Sequence, residues 1–152
     1  MEEQYIKIDE DGNKCYYKDK RMTNRHRVDG PAYEYADGSK VWYVDGKRHR
    51  LDGPAVERAD GGKAWYVDGK RHRQDGPAVE YASGDKGWFV DDKRHRLDGP
   101  AVEWANGSKE WFVEGKRLSE GAFDALSKPL VLTLDQIAAK FGVDVNKIKL
   151  VK

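Results

Sequence analysis

The chain repeats itself every 23 residues, and that period leaves it few ways to fold. Trp42, Trp65, Trp88 and Trp111 fall 23 apart, as do His26, His49, His72 and His95 and the prolines Pro31, Pro54, Pro77 and Pro100. Residues 42–64 and 65–87 agree at 18 of 23 positions. A unit this short cannot bury a face by itself, so it stacks on its neighbours in a quasi-one-dimensional array. End units of such arrays are atypical because one face has no neighbour. Here "CYYKDKRMTNRHR" opens the series with three extra residues, and "WFVEGKRLSE" closes it with Leu118 in the histidine position.

Each unit reads as strands and turns. "PAVEYA" and "KVWYV" are short runs rich in β-branched and aromatic residues. Between such runs stands DG, SG or NG, a hairpin signal because Gly and Asn accept positive φ. A second DG follows "WYV", and the DGP beyond "KRHR" ends the pairing, since proline has no donor for a ladder. No space is left for a helix. The period therefore predicts a mainly β fold: an elongated antiparallel β-hairpin array, a single-layer meander over residues 1–118. A small C-terminal α/β cap is expected over 119–152. Alternation sends Trp65 and Val67 one way and Tyr66 the other, while Val79 and Tyr81 share a face opposite Glu80. Trp42, Trp65, Trp88 and Trp111 are expected in an apolar seam. Tyr43, Tyr66, Phe89 and Phe112 then form a second ladder across the sheet, and one layer cannot bury both. The second ladder is the expected exposed aromatic stripe.

Composition fits a thin structure. Hydrophobic residues are 38% and charged residues 36%, but five Trp, eight Tyr and four Phe supply burial that aliphatic residues do not. Lys and Arg number 28 against 27 Asp and Glu, so the basic excess typical of duplex binders is absent globally. The single cysteine, Cys15, excludes an internal disulfide framework and fits a reducing cytoplasm. The opening "EEQYIKIDEDG" lacks the basic start and apolar run of a signal peptide. No stretch approaches the ~20 apolar residues of a membrane helix.

The motif set resembles a known family. The segments "WYVDGKRHR" at 42–50, "YADGSK" at 35–40 and "RADGGK" at 58–63 are similar to the MORN repeat and its bacterial variants. The likeness covers roughly residues 9–117. It departs where the family has glycine after the histidine: Arg50, Arg73 and Arg96 stand there, and "LDGPA" is inserted before the next strand. The resemblance implies a single-layer sheet of hairpins used for binding or scaffolding.

The recurring polar residues need partners. Arg50, Arg73 and Arg96 precede Asp52, Asp75 and Asp98 by two residues, and an arginine forks readily onto a carboxylate of its own or the next repeat. A structural ladder of such pairs explains why polar letters recur, and an exposed Arg–His row binding an acidic partner is the competing reading. His49, His72 and His95 sit in that row. At two strands per repeat they lie roughly 9–10 Å apart, too far to share a zinc ion, so no metal is expected. Arg48, Arg71 and Arg94, beside the aromatic ladder, give a weak likeness to a stacking-and-phosphate surface for nucleic acid or nucleotide. Glu57, Glu80 and Glu103 offset that field. No phosphate loop, nucleophile constellation or cofactor motif stands out, so neither an enzyme nor a cofactor is expected.

The tail differs. "SEGAFDALSKP" reads as a short helix ending before Pro129. Thr133 with Gln136 fits a capping box, Leu134, Ile137, Ala138 and Phe141 share a helical face, and Gly142 is a natural stop. "VNKIKLV" then alternates like a strand. Residues 130–152 resemble, slightly, C-terminal tails of small accessory proteins of tailed phages. The expected function is a non-enzymatic surface offered to a protein partner, in its most specific form a phage-encoded inhibitor of a host or defence protein. The alternatives are a bacterial antitoxin-like or scaffold protein, and a binder of anionic ligands (nucleotide or lipid head group) through the Arg–His row. Oligomeric state is left open.

Overall fold

The structure is a computed structural model and describes residues 4–128, 134–142 and 144. The chain divides into two units, Met1–Glu120 and Gly121–Lys152.

The first unit is an open antiparallel meander of eleven strands. Tyr5–Ile8 and Lys14–Tyr17 begin it, and Lys116–Leu118 ends it. Between them, each repeat contributes a hairpin: Tyr33–Glu34 with Lys40–Val41, Val56–Glu57 with Lys63–Ala64, Val79–Glu80 with Lys86–Gly87, and Val102–Glu103 with Lys109–Val113. The register is uniform. On one face, Lys14, Glu34, Lys40, Glu57, Lys63, Glu80, Lys86, Glu103 and Lys109 stand opposite one another in turn, with strictly alternating charge. Opposite charges directly across a ladder favour pairing, and a slip of one residue would flip every side chain to the wrong face. The other face carries Cys15, Tyr33, Val41, Val56, Ala64, Val79, Gly87 and Val102 in the same order.

Beyond each tryptophan the chain makes a second, tighter hairpin: Tyr43–Val44 with Lys47–Arg48, Tyr66–Val67 with Lys70–Arg71, and Phe89–Val90 with Lys93–Arg94. Both central turn residues have positive φ, as in Asp68 (50°) and Gly69 (85°). That is the turn type whose twist matches paired strands. In the third repeat Asp92 takes the glycine position at φ 65°. The tight hairpins are tied across repeats by backbone bonds: the Arg50, Arg73 and Arg96 N–H groups donate to the Tyr66, Phe89 and Phe112 carbonyls, each at 3.1 Å.

The core is thin. Ala32, Ala55, Ala78 and Ala101 are fully buried. Ala64, Ala78, Val79 and Phe89 form one cluster, with Val56 and Tyr66 against it, and Ala101, Val102 and Phe112 form another beside Trp88. This corrects the expected exposure of the second ladder at Phe89 and Phe112. Phe89 and Phe112 are each only 8% exposed, whereas Trp42, Trp65, Trp88 and Trp111 are half-buried. For Phe89, Gly87 shows the cause. A Cβ there would lie 2.8 Å from Phe89 Cε2, so the ring two residues on occupies the space of the missing side chain.

In the second unit, helix α1 (Glu120–Ser127) forms where "SEGAFDALS" predicts it, and helix α2 spans Leu134–Phe141. Ala138 is buried. The expected capping residue Thr133 and the expected strand within 145–151 lie outside the described residues. Among the described residues no helix is long and apolar enough to cross a membrane.

Candidate functional site

The recurring polar letters meet in one clasp per repeat. Arg73 Nε donates to Asp75 at 2.9 Å, and Nη1 donates to the Pro77 carbonyl at 3.3 Å and to Glu80 at 3.4 Å. The guanidinium lies over the Trp65 ring, 4.0 Å from its centroid. Arg50 does the same with Asp52, Pro54, Glu57 and Trp42, and Arg96 with Asp98, Pro100, Glu103 and Trp88. Arg27 repeats it with Asp29, Pro31, Glu34 and Tyr16, so a tyrosine suffices in the first unit. The glycine of DGP is part of the clasp: a Cβ at Gly76 would fall 2.9 Å from Arg73 Cζ. The arginine–aspartate pairs thus form within a repeat. Asp75 is 82% exposed, and the less exposed acceptors are Glu80 and the proline carbonyl. The arginine hydrogen bond and charge hold the carboxyls of Asp29, Asp52, Asp75 and Asp98 below the usual carboxylate range.

The histidines link one repeat to the next. The Nδ1 atoms of His26, His49 and His95 accept the backbone N–H of Asp45, Asp68 and Glu114, at 3.0, 3.2 and 3.1 Å. His72 Nδ1 lies 3.2 Å from Asp91 Oδ1. His49 Nδ1 also lies 3.0 Å from Asp68 Oδ1. Each histidine reaches the left-handed turn residue of the following hairpin. Nδ1 accepts from the backbone N–H in one tautomer and, at His49 and His72, donates to the carboxylate in the other. Among the described residues no group of three or more His, Cys, Asp or Glu side chains is arranged to hold a metal ion.

Arg48, Arg71 and Arg94 lie on the opposite face and reach forward one repeat. They cover the rings of Tyr66, Phe89 and Phe112 at 5.2, 4.0 and 5.0 Å from the centroids. Arg25 covers Tyr43 at 5.5 Å. Each ring of the second aromatic ladder thus has a guanidinium over one face. Trp111 is half-buried in the last full strand.

Sequence reasoning singled out none of the most exposed aromatics. Tyr35, Tyr81 and Trp104 are 44, 51 and 40% exposed and recur at the same repeat position, where Arg58 stands in the second repeat. Each follows by two residues a Tyr or Val of the apolar face and so shares that face. Tyr33 and Tyr35 pack with ring centroids 4.3 Å apart. A second exposed row lies in the loops before Asp-Gly-Pro: Val28, Leu51 and Leu97, with Gln74 between. Loops of this kind line open grooves of about 660 Å³ beside Trp42 and about 780 Å³ beside Trp88. Both rows were legible as 23-residue spacings, but their changing residue types hid them.

No family model matches this chain, and no curated protein is significantly similar to it.

Proposed function

We propose that the chain is a non-enzymatic binding protein whose repeat array holds a row of variable side chains toward a protein partner. The observation that carries this reading is the contrast between constant and varying positions. The constant letters, Arg50, Asp52, Gly53, Pro54 and Glu57 and their equivalents, are consumed by internal contacts. The position Tyr35, Arg58, Tyr81, Trp104 changes from repeat to repeat and points large groups at solvent. Tyr, Trp and Arg are the residue types most often found as interface anchors. An anionic-ligand reading of the Arg–His row is less favoured, because each Arg of the clasp already meets two carboxylates and a carbonyl. The phage-inhibitor form rests on the tail resemblance, most of which falls outside the described residues.

The test is capture of a partner by the immobilised full chain, followed by mass spectrometry. Tyr81→Ser with Trp104→Ser should lose the partner and keep the wild-type melting temperature. Retention of the partner by this double variant refutes the aromatic row as the contact surface.

A further inference from the structure

The apolar face is not closed equally along its length. Between the first and second full repeats a hollow of about 300 Å³ opens beside Tyr35 and Tyr66. Val41, Val56 and Ala64 line its floor, and Arg48 and Arg58 stand at its rim. One repeat on, Gly87 replaces Ala64, and the equivalent ring, Phe89, sinks onto it and is buried. Ala64 keeps its Cβ, and Tyr66 remains half-buried, so the hollow persists at this junction.

The arginines of this row differ in what neutralises them. Arg71 Nε donates to Asp92 at 2.7 Å. Arg94 lies 3.8 Å from Glu110, which also meets Arg117 at 3.1 Å. Arg48 donates instead to the Tyr66 hydroxyl at 3.4 Å, and neither Arg48 nor Arg58 has a carboxylate within 4 Å among the described residues. Glu110 occupies the repeat position of Val41, Ala64 and Gly87, two residues before Phe112. The chain thus places an acidic side chain between aromatics and arginines at the far end of the row, whereas Val41 and Ala64 hold that repeat position at the hollow. Asp37, also in the lining, accepts the Ser39 N–H of its own turn at 2.7 Å. Two guanidiniums above an apolar floor fit a carboxylate carried beside an apolar group.

We propose that this hollow receives an acidic side chain of the protein partner, next to an apolar residue that settles on Val41, Val56 and Ala64. This rests on the binding reading above and names the chemistry that the partner presents. Arg48 and Arg58 supply charge-assisted donors, and the tyrosines flank the entering chain.

The test is a titration of the ¹⁵N-labelled full chain with the blocked tripeptide acetyl-Phe-Glu-Phe-amide, its glutamine counterpart, and inorganic phosphate. The glutamate peptide should give saturable shifts at the amides of Val41, Val56 and Ala64. The glutamine peptide should bind about tenfold more weakly, the usual consequence of losing a charge-assisted bond. Arg58→Gln, an exposed position, should weaken the glutamate peptide alone, and adding Arg48→Gln should bring it to the level of the glutamine peptide. Equal binding of the two peptides, saturable shifts from neither, shifts centred elsewhere, or phosphate alone reproducing the effect each overturns the inference. A partner lost by the Tyr81→Ser and Trp104→Ser double variant but held by Arg48→Gln with Arg58→Gln overturns it while leaving the binding reading standing.

Discussion

Gly76→Ala tests whether the Arg73 clasp holds the repeat together. The φ of Gly76 lies outside the left-handed region, so alanine suits the backbone. At such sites Gly→Ala stabilises by about 0.4–1 kcal/mol through the unfolded chain. The new Cβ, however, would stand 2.9 Å from Arg73 Cζ, 3.1 Å from Nη2 and 3.2 Å from Nε. The guanidinium must leave. It forfeits its place over Trp65, 4.0 Å from the centroid, worth about 1 kcal/mol at a partly exposed site. It also loses its bonds to the Pro77 carbonyl and Glu80. Glu80 is about one-third exposed, so these bonds together count for about 1 kcal/mol after screening. The loss of about 2 kcal/mol exceeds the gain, and Gly76→Ala should destabilise by about 1–1.5 kcal/mol. In an Arg73→Ala background nothing occupies the space, and the same change should stabilise by about 0.5 kcal/mol. Urea denaturation of the four proteins reads both numbers and their coupling of about 2 kcal/mol. Asp75→Ala serves as a control, and its solvent-exposed carboxylate should matter much less than Arg73. A Gly76→Ala effect of the same sign and size in both backgrounds refutes the clasp.

Phe89→Ser should lower stability by about 3–5 kcal/mol, the range of large-to-small changes at buried aromatics, as read by denaturant midpoint. A wild-type midpoint would return this ring to the surface, where the sequence first placed it. Acid should loosen the clasps. Arg27, Arg50, Arg73 and Arg96 hold Asp29, Asp52, Asp75 and Asp98 below their ordinary range. A lowered folded pKa contributes stability that is full above the unfolded value of about 3.9 and is lost as pH falls through the folded one. Urea midpoints should therefore decline from pH 5 to pH 3 more steeply for the wild type than for the fourfold Asp→Asn variant at these positions. Parallel profiles contradict the pairing.

What the sequence made legible, and what it hid, have one physical cause. Period 23, the turn dipeptides and the β-rich runs specify hairpins through local chemistry, and the meander follows from stacking them. The Arg50–Asp52 pairing was legible as well, because two residues of a tight turn have few places to go. The depth of each aromatic was not legible. Alternation assigns Tyr66 and Phe89 to one side but does not say how deeply they sink. Phe89 and Phe112 are buried and Tyr43 and Tyr66 half-buried, while the residue two positions earlier runs Val41, Ala64, Gly87 and Glu110. Gly87 lets Phe89 become core, and Ala64 leaves Tyr66 beside an open hollow. The acceptor Glu57 was equally hidden. It lies seven residues from Arg50, and only the fold of the DGP loop brings the two to 3.0 Å. The repeated letters advertised themselves because each has a fixed internal partner. A side chain that meets another protein has no such partner within the chain, so its position is free to vary. Tyr35, Arg58, Tyr81 and Trp104 show that variation while sharing the face that Arg48, Arg71 and Arg94 roof. On the proposed reading, the irregular letters of such an array are the ones that meet a partner.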